Sequence, residues 1–292
     1  MPELPEVEVT RRQIAPLLVG RRISDVVTTA PSYFFLTPPA RLRARLRGRS
    51  VRRLERLGKY LIARLDSGER LLLHLGMTGQ LFGAGAASVR LLASTRGAAL
   101  TPERQRDRFG PDAHTHLRLA FADGGPDVLF RDARKFGKVQ VLAEGERSPR
   151  LERLGVDALE ATGEQLCAAS RRRRVPIKTL LLDQSVLAGV GNIYADEALH
   201  LARIQPLRPA HRLDRAECRR LARALVKVLR RSIATGGSSI SDYVRPDGTD
   251  GAYQDERHVY GRTGESCRRC GTRIRRVVIG QRSSHYCPRC QR

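Results

Sequence analysis

The chain has 292 residues, of which 54 are Lys+Arg against 30 Asp+Glu, so its formal net charge is +24, and 41% of it is hydrophobic. That length accommodates two domains and a small appendage; no apolar run approaches the roughly 18 to 20 residues that cross a bilayer, and no charged-then-apolar leader opens it, so a soluble cytoplasmic protein is expected. The positive excess suits a polyanion, above all nucleic acid, through an attraction that is salt-dependent and blind to sequence.

In chain order, residues 5 to 19 read as a helix, with Pro5 suited to its first turn, Glu8 four residues before Arg12, and Val7, Ile14, Leu17 and Leu18 as apolar positions. From about 21 to 142 the texture becomes short β-type runs: ISDVVTTA, YLIARLD, RLLLHLGM, HLRLAFADG, DVLFRDA and KVQVLA, separated by Gly, Asp and Pro. An antiparallel sandwich or barrel fits them. Within this region residues 83 to 113, rich in small and charged residues, read as a surface loop or insertion. The polar stretch AEGERSPR at 143–150 reads as a linker.

Beyond the linker the period turns helical in TGEQLCAASRRR, PIKTLLLD, GNIYADEALHLA and DRAECRRLARALVKVLRRSIATGG. The last has Asp214 and Glu217 at capping-box spacing, Leu221, Leu225, Val228 and Leu229 on one face, and Gly236-Gly237 as its stop. Cys218 shares that apolar face, as a small core residue. Residues 237–258 read as loop.

The final segment holds CRRC, then sixteen residues, then CPRC. Two such pairs can aim Cys267, Cys270, Cys287 and Cys290 at one tetrahedral zinc ion, and four thiolates leave no coordination position for water, so the ion is structural. A segment this short buries little apolar surface, and the metal supplies most of its folding free energy. Between the pairs, two β-type runs flank Gly-Gln-Arg-Ser, with Arg282 at the tip. That position suits either a guanidinium reaching into a groove or one more solvated arginine.

Taken in order, MPELPEVE at the start, GKYL at 58–61, HLGMTG at 74–79, RDARKFG at 131–137, DQSVLAGVGNIYADEAL at 183–199 and the cysteine appendage with Gln281-Arg282 resemble the formamidopyrimidine-DNA glycosylases, the helix-two-turn-helix family of base-excision enzymes. The resemblance spans nearly the whole chain and misses mainly 83–113. It implies an α+β multidomain protein: an antiparallel β-sandwich with an N-terminal helix (1–142), a linker (143–150), a helix-two-turn-helix domain with a lesion loop (151–259, loop 237–258), and a zinc-finger hairpin (260–292).

The resemblance also implies roles. Pro2, bared by removal of the initiator methionine, is the nucleophile on C1′ of the damaged nucleotide, and this agrees with its chemistry. An α-amino group titrates at about pH 8, the positive end of a following helix favours its neutral form, and a secondary amine can form an iminium that serves as an electron sink. Glu3 is the matching general acid/base and Glu6 a supporting carboxylate. Both also suit a helix N-terminus. Lys59, the only lysine before position 135, matches a phosphate-contacting proton donor, a task arginine cannot perform, and Arg282 matches the finger arginine beside the lesion.

Met77, Arg134 and Phe136 match the wedge that fills the gap left by an extruded base. Asn192, at a helix start, matches a phosphate contact; His74, His114, Arg174 and Lys178 align with further DNA-facing positions. The implied reaction is removal of oxidised purines (8-oxoguanine, formamidopyrimidines) with β,δ-elimination, on double-stranded DNA, by a monomer with one zinc ion. An oxidised-pyrimidine glycosylase and a non-catalytic zinc-finger DNA-binding protein are the alternatives. Val9, ahead of Thr10, and Thr249 in the loop depart from the usual family pattern and bear on substrate range.

Overall fold

The computed structural model describes residues 2–86, 109–240 and 243–292. The chain divides into two units, the first formed by residues 1–148 with 236–252 and the second by 149–235 with 253–292. Most of the segment expected to form a lesion loop in the helical domain thus belongs with the first unit, to which Glu6 ties it by accepting a hydrogen bond from the Ser238 amide (2.9 Å). Residues 253–258 stay with the second.

Helix α1 (Leu4–Leu18) opens the first unit. Its N-cap Glu3 and the N3 residue Glu6 form a capping box, and Val7, Ile14 and Leu18 are buried. Among the described residues of this unit eight strands follow: β1 (Ile23–Thr28), β2 (Val51–Leu57), β3 (Tyr60–Leu65), β4 (Arg70–His74), β5 (Gly79–Gly83), β6 (Thr115–Phe121), β7 (Val128–Asp132) and β8 (Lys138–Leu142). They make two antiparallel sheets, ordered β1-β6-β7-β5 and β2-β3-β4-β8. Side chains from both sheets, among them Leu61, Leu71, Leu73, Leu117, Phe130 and Val139, join the α1 residues in one apolar core, where the rings of Phe34 and Phe130 meet edge-on at 4.9 Å. The expected sandwich is present.

Three elements of the first unit carry no clear signal in the sequence. Helix α2 (Pro39–Leu46) buries Pro39, Leu42 and Leu46 among arginine and alanine neighbours, too few apolar positions to establish a period. Strand β2 carries Val51, Leu54 and Leu57 three apart, a helix-like spacing that a bulge between Val51 and Arg53 accommodates. Strand β5 is short and begins and ends in glycine. Of the segment 83–113 expected as a loop or insertion, residues 87–108 lie outside the described residues.

The second unit contains α3 (Gly163–Ser170), α4 (Ile177–Leu182), α5 (Asn192–Ala202) and α6 (Arg215–Ala234), with a short parallel pair, β9 (Val156–Asp157) and β10 (Leu187–Ala188). The capping box of Asp214 and Glu217 starts α6, and its apolar face, Leu221, Leu225 and Leu229 included, is buried. Cys218 is fully buried, and burial pushes its thiol up to about 11, as a core residue requires. Tyr194 of α5 is buried with its hydroxyl 2.6 Å from that of Ser232 on α6. The antiparallel hairpin β11 (Arg275–Ile279) and β12 (Arg282–Tyr286) closes the chain. Its turn is Gly280-Gln281, both at positive φ (53° and 62°), the type I′ pattern. Arg282 therefore flanks the tip and does not occupy it.

Candidate active site

Pro2, Glu3 and Glu6 are all buried at the start of α1. One Glu6 carboxylate oxygen accepts from the Glu3 amide (2.8 Å) and the other from the Ser238 amide. The Tyr243 hydroxyl donates to the Glu6 carbonyl (3.4 Å), and burial first, then the Glu6 charge, holds that hydroxyl protonated far above its usual range. Gly237 closes the arrangement: at φ 85°, an added Cβ would stand 3.1 Å from the Glu6 carboxylate and 3.2 Å from the Tyr243 ring. The helix start and the 236–252 loop are thus one polar construction, with the positive end of α1 beside Pro2.

One turn further on, Glu8 accepts from Arg11, Arg12 and Arg56 at 2.8 to 3.1 Å. Burial alone would raise its pKa; the Arg11 and Arg12 hydrogen bonds and the Arg11 and Arg56 charges outweigh it and bring the group down to about 2. Arg56 also donates to the Gly58 carbonyl (3.1 Å), which links α1 to the β2–β3 turn. Gly58 takes positive φ (54°) there and buried Lys59 follows it. Tyr60 and His74 face each other across β3 and β4 with their rings 4.7 Å apart, and His74 Nδ1 accepts from the Gly76 amide (3.1 Å).

Met77 lies on the β4–β5 loop, and Arg134 and Phe136 lie on the β7–β8 loop. Met77 is 40% and Phe136 45% exposed, in contrast to the buried core, so packing inside the protein does not account for them. The two loops meet backbone to backbone: a Cβ on Gly76 would come within 2.5 Å of the Phe136 carbonyl carbon. The Arg134 guanidinium stands 5.5 Å from the Phe136 ring centroid, and the Arg134 carbonyl accepts from the Tyr33 hydroxyl (2.7 Å). Half-buried His114, next to β6, is set by its amide donating to Asp112 (3.1 Å).

In the second unit, Asn192 opens α5 after Gly191, and its Oδ1 is buried with no protein partner. At the positive end of a helix dipole, that position favours an anionic oxygen nearby, with a hydrogen-bond donor for Oδ1. Arg174 is exposed. Arg282 is exposed at the start of β12.

Lys178 departs from the sequence expectation. It is wholly buried, pairs with Asp196 (2.7 Å) and donates to the Ser283 carbonyl (2.8 Å). A DNA-facing role is thereby replaced by an internal one, because its partner sits on α5 under the hairpin. Asp196, not singled out in the sequence, also accepts from the Ser284 hydroxyl (3.0 Å) and the His285 amide (2.8 Å). Glu197 beside it accepts from three consecutive amides, of His258, Val259 and Tyr260. Two neighbouring carboxylates of α5 thus hold both the entry to the appendage and its second strand.

The thiols of Cys267, Cys270, Cys287 and Cys290 all lie within 4.8 Å of one another, with 3.5 Å between Cys270 and Cys287 and 4.0 Å between Cys267 and Cys290. Tetrahedral Zn–S bonds of about 2.3 Å place sulfurs about 3.8 Å apart, so the donor set fits one zinc ion. No helix among the described residues is long and apolar enough to cross a membrane.

Comparison with known proteins follows the same division. Three family models match: the formamidopyrimidine-DNA glycosylase N-terminal domain over residues 1–139, the formamidopyrimidine-DNA glycosylase H2TH domain over 154–244, and the zinc finger found in FPG and IleRS over 264–292. The chain is 42% identical to a formamidopyrimidine-DNA glycosylase of Solibacter usitatus and 41% identical to one of Geobacillus kaustophilus, each over the full length of both chains. Among solved structures it resembles the MutM (FPG) protein of Thermus thermophilus (TM-score 0.83, 38% identity, 99% of this chain and 98% of that one). It also resembles the Lactococcus lactis FPG in complex with Fapy-dG containing DNA (TM-score 0.83, 32% identity, 99% and 100%).

Proposed function

Because the chain belongs to the formamidopyrimidine-DNA glycosylase family and is a DNA-repair enzyme, we propose that it removes oxidised purines, 8-oxoguanine and formamidopyrimidines, from duplex DNA through Pro2. The observation that carries this reading is the burial of Pro2, Glu3 and Glu6 on the first turn of α1, with Glu6 hydrogen-bonded to the Ser238 amide of the 236–252 loop. A nucleophile, an acid/base and a loop able to close over a base are then parts of one unit.

With the initiator methionine removed, the neutral Pro2 nitrogen attacks C1′, and the C1′–base bond breaks with its electron pair leaving on the base. Glu3 manages the protons: it donates to the sugar oxygen as the ring opens and later accepts one from C2′. The resulting iminium withdraws electrons from C1′, so loss of the C2′ proton expels the 3′ phosphate, and a second elimination expels the 5′ phosphate. Lys59 and Arg282 neutralise the departing phosphates, and Lys59 can also deliver a proton. Met77, Arg134 and Phe136 fill the gap left by the extruded nucleotide. Asn192, Arg174, His74 and His114 contact the backbone, and the zinc ion holds the hairpin that carries Arg282. The working form is a cytoplasmic monomer on DNA containing an oxidised base or an abasic site.

The test is product analysis on duplexes carrying one lesion opposite cytosine. Cleavage at 8-oxoguanine that leaves phosphate on both flanking ends supports the reading. Cleavage at thymine glycol with 8-oxoguanine untouched overturns its substrate class.

A further inference from the structure

The geometry points to Asp132 as the positioning residue that holds the two gap-filling loops in register, an inference that rests on the assignment of Met77, Arg134 and Phe136 as the wedge. Met77 and Phe136 are exposed, so burial of those two side chains does not hold the loops. What the loops share is one carboxylate. Asp132, fully buried at the end of β7, accepts at Oδ1 from the Thr78 hydroxyl and the Arg134 amide (3.3 Å), and at Oδ2 from the Gly137 amide (2.6 Å). Thr78 immediately follows Met77, and Gly137 immediately follows Phe136.

The rest of the residue is fixed as well. Its carbonyl accepts from His116 Nε2 (2.9 Å) and from the Lys135 amide (3.2 Å), and its amide donates to the His114 carbonyl (2.8 Å). Thr78 Oγ1, having donated to Asp132, accepts from the Arg134 amide (3.3 Å), so each loop touches the other as well as the carboxylate. Lys135 sits at φ 57°, a left-handed conformation that a non-glycine residue keeps when its surroundings impose it. That conformation turns the chain so that Arg134 and Phe136 both emerge at the surface.

Pushing side chains into a stacked duplex works against base stacking, and a wedge whose two halves drift apart loses that push. Duplex and single-stranded substrates therefore separate positioning from general stability: a single strand has no stacked gap to fill. The test compares Asp132→Asn, Thr78→Val, Met77→Ala and Phe136→Ala on two substrates, a duplex with 8-oxoguanine opposite cytosine and a single-stranded oligonucleotide with one abasic site. A 2-aminopurine beside the lesion reports unstacking in the duplex. Thr78→Val removes one hydroxyl at nearly constant volume and guards against a variant that fails to fold.

The expected result is a loss of about tenfold or more in single-turnover duplex excision for Asp132→Asn and Thr78→Val, with a reduced 2-aminopurine signal as for Phe136→Ala, while borohydride trapping on the single strand stays within about twofold. Equal losses on both substrates would show a fold-wide role and overturn the inference, as would unchanged duplex excision. If Met77→Ala and Phe136→Ala leave duplex excision and the fluorescence intact, the wedge assignment itself fails, whatever Asp132 does.

Discussion

At the N-terminal end, the turn that presents Pro2 and Glu3 stands on an apolar core shared by α1 and both sheets, and its carboxylates are answered by amides and arginines. At the C-terminal end, the hairpin that presents Arg282 rests on a small apolar cluster of Val259 and Ile274 with the four cysteines, and on the buried Lys178–Asp196 pair. One end is positioned by apolar burial, which needs many residues; the other by metal bonds and a buried ion pair, which need few. The two ends should therefore fail under different treatments, and a perturbation of one should spare the other.

The largest effect is expected from zinc removal. Structural zinc contributes about 10–16 kcal/mol in isolated finger peptides, so a zinc chelator, or Cys290→Ser, should unfold the appendage and abolish duplex binding. Limited proteolysis should then cut within 260–292 while the sandwich resists. Next comes the pair beneath the hairpin. Asp196→Asn leaves buried Lys178 without its counter-charge and should cost about 3–5 kcal/mol, whereas replacing both by apolar residues of similar volume should cost far less. Denaturant titration of the two variants measures the difference.

Acid attacks the other end. Glu8 falls from an ordinary 4.5 to about 2 in the folded chain, so its contribution is complete above pH 4.5 and is lost as pH falls from 4.5 toward 2. The linked stability is at most about 3 kcal/mol. Melting temperatures taken across that window should drop less steeply in Arg56→Ala than in the parent. Smallest in stability is Arg282→Ala: an exposed residue should change folding by less than about 0.5 kcal/mol, yet the slope of log affinity against log salt should fall by about one contact.

The same contrast separates what was legible in the sequence from what was not. Elements with a clear helical period, α1, α5 and α6, end within a residue or two of their expected bounds, because that local signal is itself a physical cause of the helix. The cysteine spacing was equally legible, since two tight pairs leave the thiols little choice. Helix α2 and strand β2 were not, because their few apolar side chains gain meaning only against the sandwich core.

Among site residues, Met77 and Phe136 stand in legible motifs, and both are exposed. Lys178, expected at the DNA surface, is internal: nothing local shows that Asp196, eighteen positions on, will take its charge inside. Asp132 carries no local signal for a related reason, since within RDARKFG it looks like one more charged residue of a basic loop. Its importance comes from Thr78, more than fifty residues earlier.

The proposed chemistry turns on Pro2 as nucleophile. The most direct test is borohydride trapping of the methionine-processed protein on a duplex containing 8-oxoguanine opposite cytosine, with Pro2→Gly and Glu3→Gln in parallel. A covalent protein–DNA complex that requires the unblocked terminal proline, and that Pro2→Gly abolishes, is the predicted result; a complex that forms equally well with Pro2→Gly would place the nucleophile elsewhere and contradict that chemistry.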